Sequence, residues 1–306
     1  MFSKLRSENV LGIINLYKPA GKTSHDMVYF IRRTLGIKRV GHTGTLDPCA
    51  EGILPILVGR ATSLSDFLMA GDKVYTATIK LGITTDTYDT SGTILEEKEV
   101  STTLSDIEKA AQSFKGETEQ LPPMYSAIKI GGTKLYHLAR EGKEVERPKR
   151  KITVFDISVF DYDKDNNEFK MKVHCSKGTY IRSLCHDLGN MLGCGAVMSA
   201  LVRNRTGIFD ESSSLSCEMI EKLVKDGDTS FLIPPDKVLG CYPAITINDE
   251  ISKKVQNGIM LRTNQLGIDP DVGDKIRIYD NNQFLCLAKI VETEGSKCIK
   301  IDMGFY

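Results

Sequence analysis

The chain has 306 residues, 41% of them hydrophobic and 26% charged, with a formal net charge of zero; this is the composition of a globular protein large enough for one main domain plus a small one. No apolar run approaches the about 18 residues of a membrane span, and Met1-Phe2-Ser3-Lys4-Leu5-Arg6 opens no apolar stretch of signal-peptide length, so the expected location is the cytoplasm. Eight cysteines with no Cys-x-x-Cys pair and five scattered histidines predict reduced core thiols and no metal site.

The first predicted helix covers residues 24–36, with Ser24 as N-cap, Met27, Phe30, Ile31 and Leu35 on one face and Gly36 as its stop. From Lys73 to Leu81, Tyr75, Ala77, Ile79 and Leu81 alternate with Thr76, Thr78 and Lys80, the pattern of a half-buried strand with Tyr75 facing inward. Ile107, Ala110, Ala111 and Phe114 form a helical stripe closed by Gly116. Residues 152–159 and 169–175 read as a strand pair. After the turn Ser176-Lys177-Gly178, a helix carries Ile181, Leu184, Cys185 and Leu188 inward. Strands separated by single helices predict an α+β fold around a mixed sheet with flanking helices. The stretch Phe231-Leu232-Ile233-Pro234-Pro235-Asp236 suits neither a long helix nor a central strand and marks a boundary, which divides the chain into residues 1–240 and 241–306. Beyond it, a hairpin turning at Asp280-Asn281-Asn282 and a strand over residues 297–301 predict a small β-rich module.

Charge is uneven along the chain. Residues 1–60 carry nine Lys/Arg against four Asp/Glu and residues 124–151 eight against three, whereas residues 82–120 carry three against nine. The basic segments suit an anionic partner if they share a face; taken singly, each run also reads as a solvated surface. Residues 246–306 hold eight bases and nine acids, a balance that does not by itself favour phosphate.

One run stands apart. Gly41-His42-Thr43-Gly44-Thr45-Leu46-Asp47-Pro48 sets a carboxylate between a glycine-rich turn and a proline that fixes the next φ, a way to aim an acid. The bland alternative is an Asx-turn. Familiar motifs are excluded: Gly21-Lys22-Thr23 lacks the leading glycine of a phosphate loop, because Leu16 occupies that position, and no Gly-x-Gly-x-x-Gly follows the first strand. The His-x-Glu and Pro-Cys-x-x-Cys pair of a base deaminase does not occur either. A second cluster, residues 177–184, places Tyr180 and Arg182 at the start of a helix. An arginine beside a carboxylate keeps it ionised, which suits covalent catalysis. On the residues alone, Arg182 also reads as a surface residue of an amphipathic helix, and Tyr75 and Tyr180 as core packing.

These segments, in this order, resemble the TruB family of tRNA pseudouridine synthases along essentially the whole chain. The resemblance rests on Asn15-Leu16-Tyr17-Lys18-Pro19-Ala20-Gly21-Lys22-Thr23-Ser24, on residues 41–55, on Asp72-Lys73-Val74-Tyr75-Thr76-Ala77 and on Thr85-Asp86-Thr87-Tyr88-Asp89. It extends to Leu121-Pro122-Pro123-Met124-Tyr125-Ser126-Ala127-Ile128-Lys129, to residues 177–184 and to Leu201-Val202-Arg203-Asn204-Arg205-Thr206-Gly207. It implies a pseudouridine synthase catalytic domain followed by a PUA-like β-barrel, isomerising uridine-55 of the tRNA T loop to pseudouridine without a cofactor. It makes Asp47 the catalytic carboxylate, which either attacks ribose C1′ or takes a C2′ proton. Tyr75 would stack on the flipped base and help remove the C5 proton. Arg182 would pair with Asp47, Tyr180 would hold that pair by hydrogen bonding, and Leu201 would line the pocket. His42 would support the loop the base has left, and Lys18 would buttress the Asp47 loop. The partner implied is tRNA, through its T arm and, for the C-terminal module, its acceptor end; no membrane and no obligate protein partner is implied.

Two other readings compete with this one. A tRNA-folding chaperone would make the site secondary. A glycoside hydrolase would need a second carboxylate, and neither Asp86 nor Asp89 sits in a motif that aims it at Asp47.

Overall fold

A computed structural model describes residues 10–281 and 283–306; the sequence readings of residues 1–9, including the basic residues Lys4 and Arg6, and of Asn282 in the hairpin turn lie outside the described residues. The main sheet has nine strands. Seven run in the order Gly12–Lys18, Glu51–Val58, Ala196–Thr206, Lys73–Leu81, Glu168–Cys175, Arg150–Asp163, Gly116–Gln120; Val40–His42 pairs with the second and Phe209–Asp210 with the third. Among the described pairings of this sheet only Glu51–Val58 with Ala196–Thr206 is parallel, so the sheet is mixed.

The strand Lys73–Leu81 has its expected bounds, because alternation against a one-sided core leaves no other register. Ala77, Ile79 and Leu81 are buried on the helix-covered face, where the helices Ser24–Leu35, Leu104–Gln112, Ile181–Leu192 and Cys217–Lys225 pack. Each fully buried Leu, Ile or Phe there contributes about 1.5–3 kcal/mol. Tyr75 lies on that same face, opposite Val173 on one neighbouring strand and Arg203 on the other.

Two helix ends differ from expectation. The N-cap of the first helix is Thr23, whose side chain accepts from Asp26 N while the Asp26 side chain accepts from Thr23 N. This reciprocal capping box outcompetes a cap at Ser24, which is freed for another task described below. The helix over Leu104–Gln112 ends before Gly116, and that glycine instead opens the edge strand Gly116–Gln120.

The C-terminal sheet has five strands in the order Ala244–Ile247, Lys275–Asp280, Gln283–Thr293, Ser296–Gly304, Leu261–Arg262. It curls into a half-barrel, as expected of a small PUA-like β module, and its first and last strands do not pair among the described residues. It does not hang on a free linker. Leu287 and Phe305 from this sheet share an apolar cluster with Ile13, Ile53, Leu57, Leu64, Val238 and Leu239, and Ile13 exchanges backbone hydrogen bonds with Ile233 in the boundary segment.

Candidate active site

The Asp47 loop is tied down from several directions. Gly21 N donates to Pro48 O at 2.8 Å, Thr43 N to Pro55 O at 3.1 Å and Ala50 N to Asp47 O at 3.1 Å. Ser24 clamps the residue before the aspartate: its Oγ accepts from Leu46 N at 2.9 Å and donates to Leu46 O at 3.2 Å. Lys18 is wholly buried, and its Nζ donates to Pro19 O at 3.0 Å, Lys22 O at 2.6 Å and Pro48 O at 3.4 Å. Burial pushes its amine below the usual lysine value, and neighbouring Cys49 and Asp47 pull it back up. The aspartate is thus aimed by a scaffold of hydrogen bonds as well as by its proline.

Arg182 sits in the first turn of the helix Ile181–Leu192. That helix start is held by Gln120, whose Oε1 accepts from Tyr180 N at 2.8 Å and whose Nε2 donates to Tyr180 O at 2.9 Å. The guanidinium grips Asp47 with two bonds, Nε to Oδ2 at 2.9 Å and Nη2 to Oδ1 at 3.3 Å, the fork geometry that fixes a carboxylate's orientation. Its remaining donors reach Thr87 O at 3.1 Å and Tyr125 O at 2.9 Å. The Arg182 side chain is only 6% exposed whereas that of Asp47 is 35% exposed, so the carboxylate opens to solvent from a buried support. Tyr125 belongs to the basic segment 124–151, which therefore reaches the site.

Asp89 departs from the sequence reading. Its Oδ2 lies 3.8 Å from Arg182 Nε, so the acidic turn does bring a second carboxylate to the same guanidinium. Asp89 is buried, and its Oδ1 accepts from Thr87 Oγ1 at 2.8 Å, Ser91 N at 3.0 Å and Ser91 Oγ at 2.5 Å. A carboxylate engaged in this way is a support for the arginine; it is poorly placed to protonate a leaving group, which counts against a glycosidase pair.

Tyr75 is half-buried, and burial raises its phenol above the ordinary tyrosine value while the adjacent Arg203 cation pulls it down. Leu201 is buried two residues before Arg203 on the neighbouring strand. His42 is half-buried at the end of Val40–His42; burial, then the Arg203 charge, push its imidazole down and so favour the neutral ring. Tyr180 does not do what was expected of it: among the described residues its hydroxyl makes no hydrogen bond to Asp47 or Arg182. Its phenol, raised by burial, has the Ser126 hydroxyl as its neighbour, and backbone carbonyls hold the arginine instead.

Arg203, Ser24 and Gln120 have places at the site that the sequence reading does not assign, and Asp89 one that it sets aside. Only Arg203 carries a local signal, a charge two residues after the inward Leu201 on the same strand. Among the described residues no group of three or more His, Cys, Asp or Glu side chains could hold a metal.

Asp47, in the loop before the strand Glu51–Val58, and Arg182, in the first turn of a helix, face each other beside the mixed sheet, and the fold that carries them is that of the pseudouridine synthases. The fold matches a chain of a Cbf5–Nop10–Gar1 complex (TM-score 0.71, 28% identity, 96% of this chain and 85% of that one). It also matches a chain of an H/ACA RNP bound to a substrate RNA containing 2′-deoxyuridine (TM-score 0.70, 25% identity, 96% and 85%).

Residues 32–181 match the N-terminal domain of the TruB family of pseudouridylate synthases, and residues 182–239 match the tRNA pseudouridylate synthase B C-terminal domain. A tRNA pseudouridine synthase B of Clostridium tetani is 45% identical over 291 residues, covering 95% of this chain and 99% of the relative. One of Oceanobacillus iheyensis is 44% identical over 281 residues, covering 89% and 93%. The chain belongs to the TruB family: it is an RNA-binding isomerase that converts uridine in tRNA to pseudouridine.

Proposed function

We propose that the enzyme acts in the cytoplasm on uridine-55 of the tRNA T loop, using Asp47 on a flipped-out nucleotide and no cofactor. The observation that carries this reading is the two-point grip of buried Arg182 on the partly open Asp47 carboxylate. A base stacked in a folded loop is out of reach, and extruding it costs a few kcal/mol. Stacking on Tyr75 offsets about 1–3 kcal/mol of that cost, and the basic segments offset more through phosphate contacts.

Asp47 then acts at ribose C1′ or C2′, the C1′–N1 bond breaks, the uracil turns and C5 bonds to C1′. Tyr75 helps remove the C5 proton while N1 gains one, so composition is unchanged. Leu201 lines the pocket and His42, in its neutral form, supports the loop the base has left. Lys18 keeps the loop rigid from beneath, and Tyr180 packs at the pocket wall beside Arg182. Residues 1–240 form the catalytic domain and residues 241–306 the PUA-like domain, which touches the acceptor end. No obligate protein partner is needed for the reaction.

The test is to incubate unmodified tRNA with the purified protein and map pseudouridine by chemical tagging, beside Asp47→Asn. Wild type should convert the T-loop uridine and the variant should leave it. If both leave it untouched, or if the tag appears at another position, the reading fails. Binding of tRNA should also weaken steeply with salt, each neutralised phosphate adding about −0.7 to −0.9 to the slope of log affinity.

A further inference from the structure

Arg203 is the largest wholly buried side chain of the described residues, 1% exposed, and no carboxylate pairs with it among them. Its Nε donates to Ile53 O at 2.7 Å and its Nη2 to Gly44 O at 3.3 Å, so it bridges the two flanks of the Asp47 loop. A Cβ on Gly52 would strike the Arg203 backbone at 2.3 Å, so glycine there lets the strand Glu51–Val58 approach the strand that carries Arg203. Across the strand pair with Lys73–Leu81, Arg203 stands directly opposite Tyr75.

A buried cation with no carboxylate partner costs several kcal/mol. Tying a loop requires only neutral donors such as an amide, so the charge itself calls for an explanation. Its field is felt by His42, Lys18, Lys73 and Tyr75, each of which has its proton affinity lowered by it. When the C1′–N1 bond breaks, the electron pair goes to the uracil, which carries it over N1, O2 and O4. It stays anionic until C5 bonds to C1′, which uses that pair; the C5 proton then leaves to a base and N1 takes up a proton.

We propose that Arg203 is a charge-positioning residue for the isomerisation, holding a fixed positive charge beneath the Asp47 loop and Tyr75 that stabilises the departing uracil anion. The inference rests on the reading that Asp47 and Tyr75 form the reacting site. Fixed charge of this kind acts strongly because it needs no reorganisation at the moment of reaction.

The test compares tRNA carrying uridine with tRNA carrying 5-fluorouridine, whose uracil anion is intrinsically more stable. Loss of the starting nucleoside is followed by chromatography of nuclease digests in single turnovers. Arg203→Met should slow the uridine reaction by about 30-fold or more and the 5-fluorouridine reaction by less than about 5-fold, while Arg203→Lys, which keeps the charge, should stay within about 5-fold on both. Equal losses on the two substrates would overturn the proposal and leave Arg203 as a loop tether. Should the Met variant not fold, wild type decides: a fluorine effect below about 10-fold supports a pre-formed counter-charge, and a steeper one rejects it. A wild type that converts neither substrate would sink the T-loop reading itself, whereas an active wild type with equal losses sinks only this inference.

Discussion

The centres of the two sheets are built by opposite rules. Around the Asp47 loop, Lys18, Asp89, Arg182 and Arg203 are all buried, and their partners are backbone carbonyls, a backbone amide, hydroxyls, Asp47 and one another. In the five-stranded sheet the core is Ile247, Val255, Ile278, Leu285, Ile290 and their neighbours, and none of its described charged residues is buried. Its ion pairs, such as Lys275–Asp302 and Lys254–Glu250, lie at the surface, where such pairs contribute about 0–1 kcal/mol. Apolar packing alone suffices to hold a sheet of this protein together. The charges buried in the larger sheet therefore mark where the fold accepts a cost for chemistry.

The largest expected effect is at the carboxylate itself: Asp47→Asn should lower single-turnover isomerisation by at least about 1,000-fold while leaving the melting temperature nearly unchanged. Next is Arg182→Met, which frees Asp47 and leaves Asp89 buried without its cation; a rate loss of about 100-fold together with a lower melting temperature is expected. If the rate falls without any loss of stability, the buried charges of the larger sheet carry no structural cost and the contrast between the two sheets fails.

The C-terminal sheet should answer in the other currency. Phe305→Ala removes a ring from the cluster shared with Leu287, Val238 and Leu239 and should cost about 3–5 kcal/mol in denaturant unfolding, with the rate on tRNA reduced only through weaker binding. A large fall in the saturated rate would mean that the two sheets are coupled beyond docking.

Lys73 supplies a pH test. Burial lowers its amine to about 8 from 10.5, so between those values the unfolded chain holds a proton that the folded chain has released, and stability rises with pH. Wild type should gain up to about 3 kcal/mol relative to Lys73→Met across that window and nothing below it. Unfolding curves at pH 7, 8, 9 and 10 read the difference; a flat difference would show that the amine is not depressed.

The mildest probe is alkylation. Cys49 and Cys241 are exposed, while Cys175 and Cys286 are buried with thiols pushed up to about 11 and about 12. A mild alkylating agent should therefore label Cys241 first and Cys49 more slowly, because partial burial and the Asp47 charge raise the Cys49 thiol. Bound tRNA should protect Cys49, and a Cys49 that stays equally reactive in the complex would place the RNA away from the site loop.

Much of the molecule was legible without coordinates. The strand Lys73–Leu81 and the helix start at Ile181 follow from alternation and from a glycine turn, both local properties of the chain. Asp47 stood out because a glycine-rich turn and a proline constrain it from both sides, again locally. The Ser24 cap is misplaced by one residue because Thr23 and Ser24 both suit that position; the reciprocal bonds between Thr23 and Asp26 select Thr23, and Ser24 turns to Leu46, which only folding brings alongside.

Chain chemistry by itself thus determined the alternating strands, the aimed aspartate and the α+β class, since each depends on neighbours a few positions away. Tertiary structure alone decided that Asp89 shares a guanidinium with Asp47, that carbonyls rather than the Tyr180 hydroxyl hold Arg182, and that Arg203 lies buried opposite Tyr75. Those contacts join segments far apart in the chain, and nothing in local propensity encodes which distant carbonyl or carboxylate a buried cation will meet.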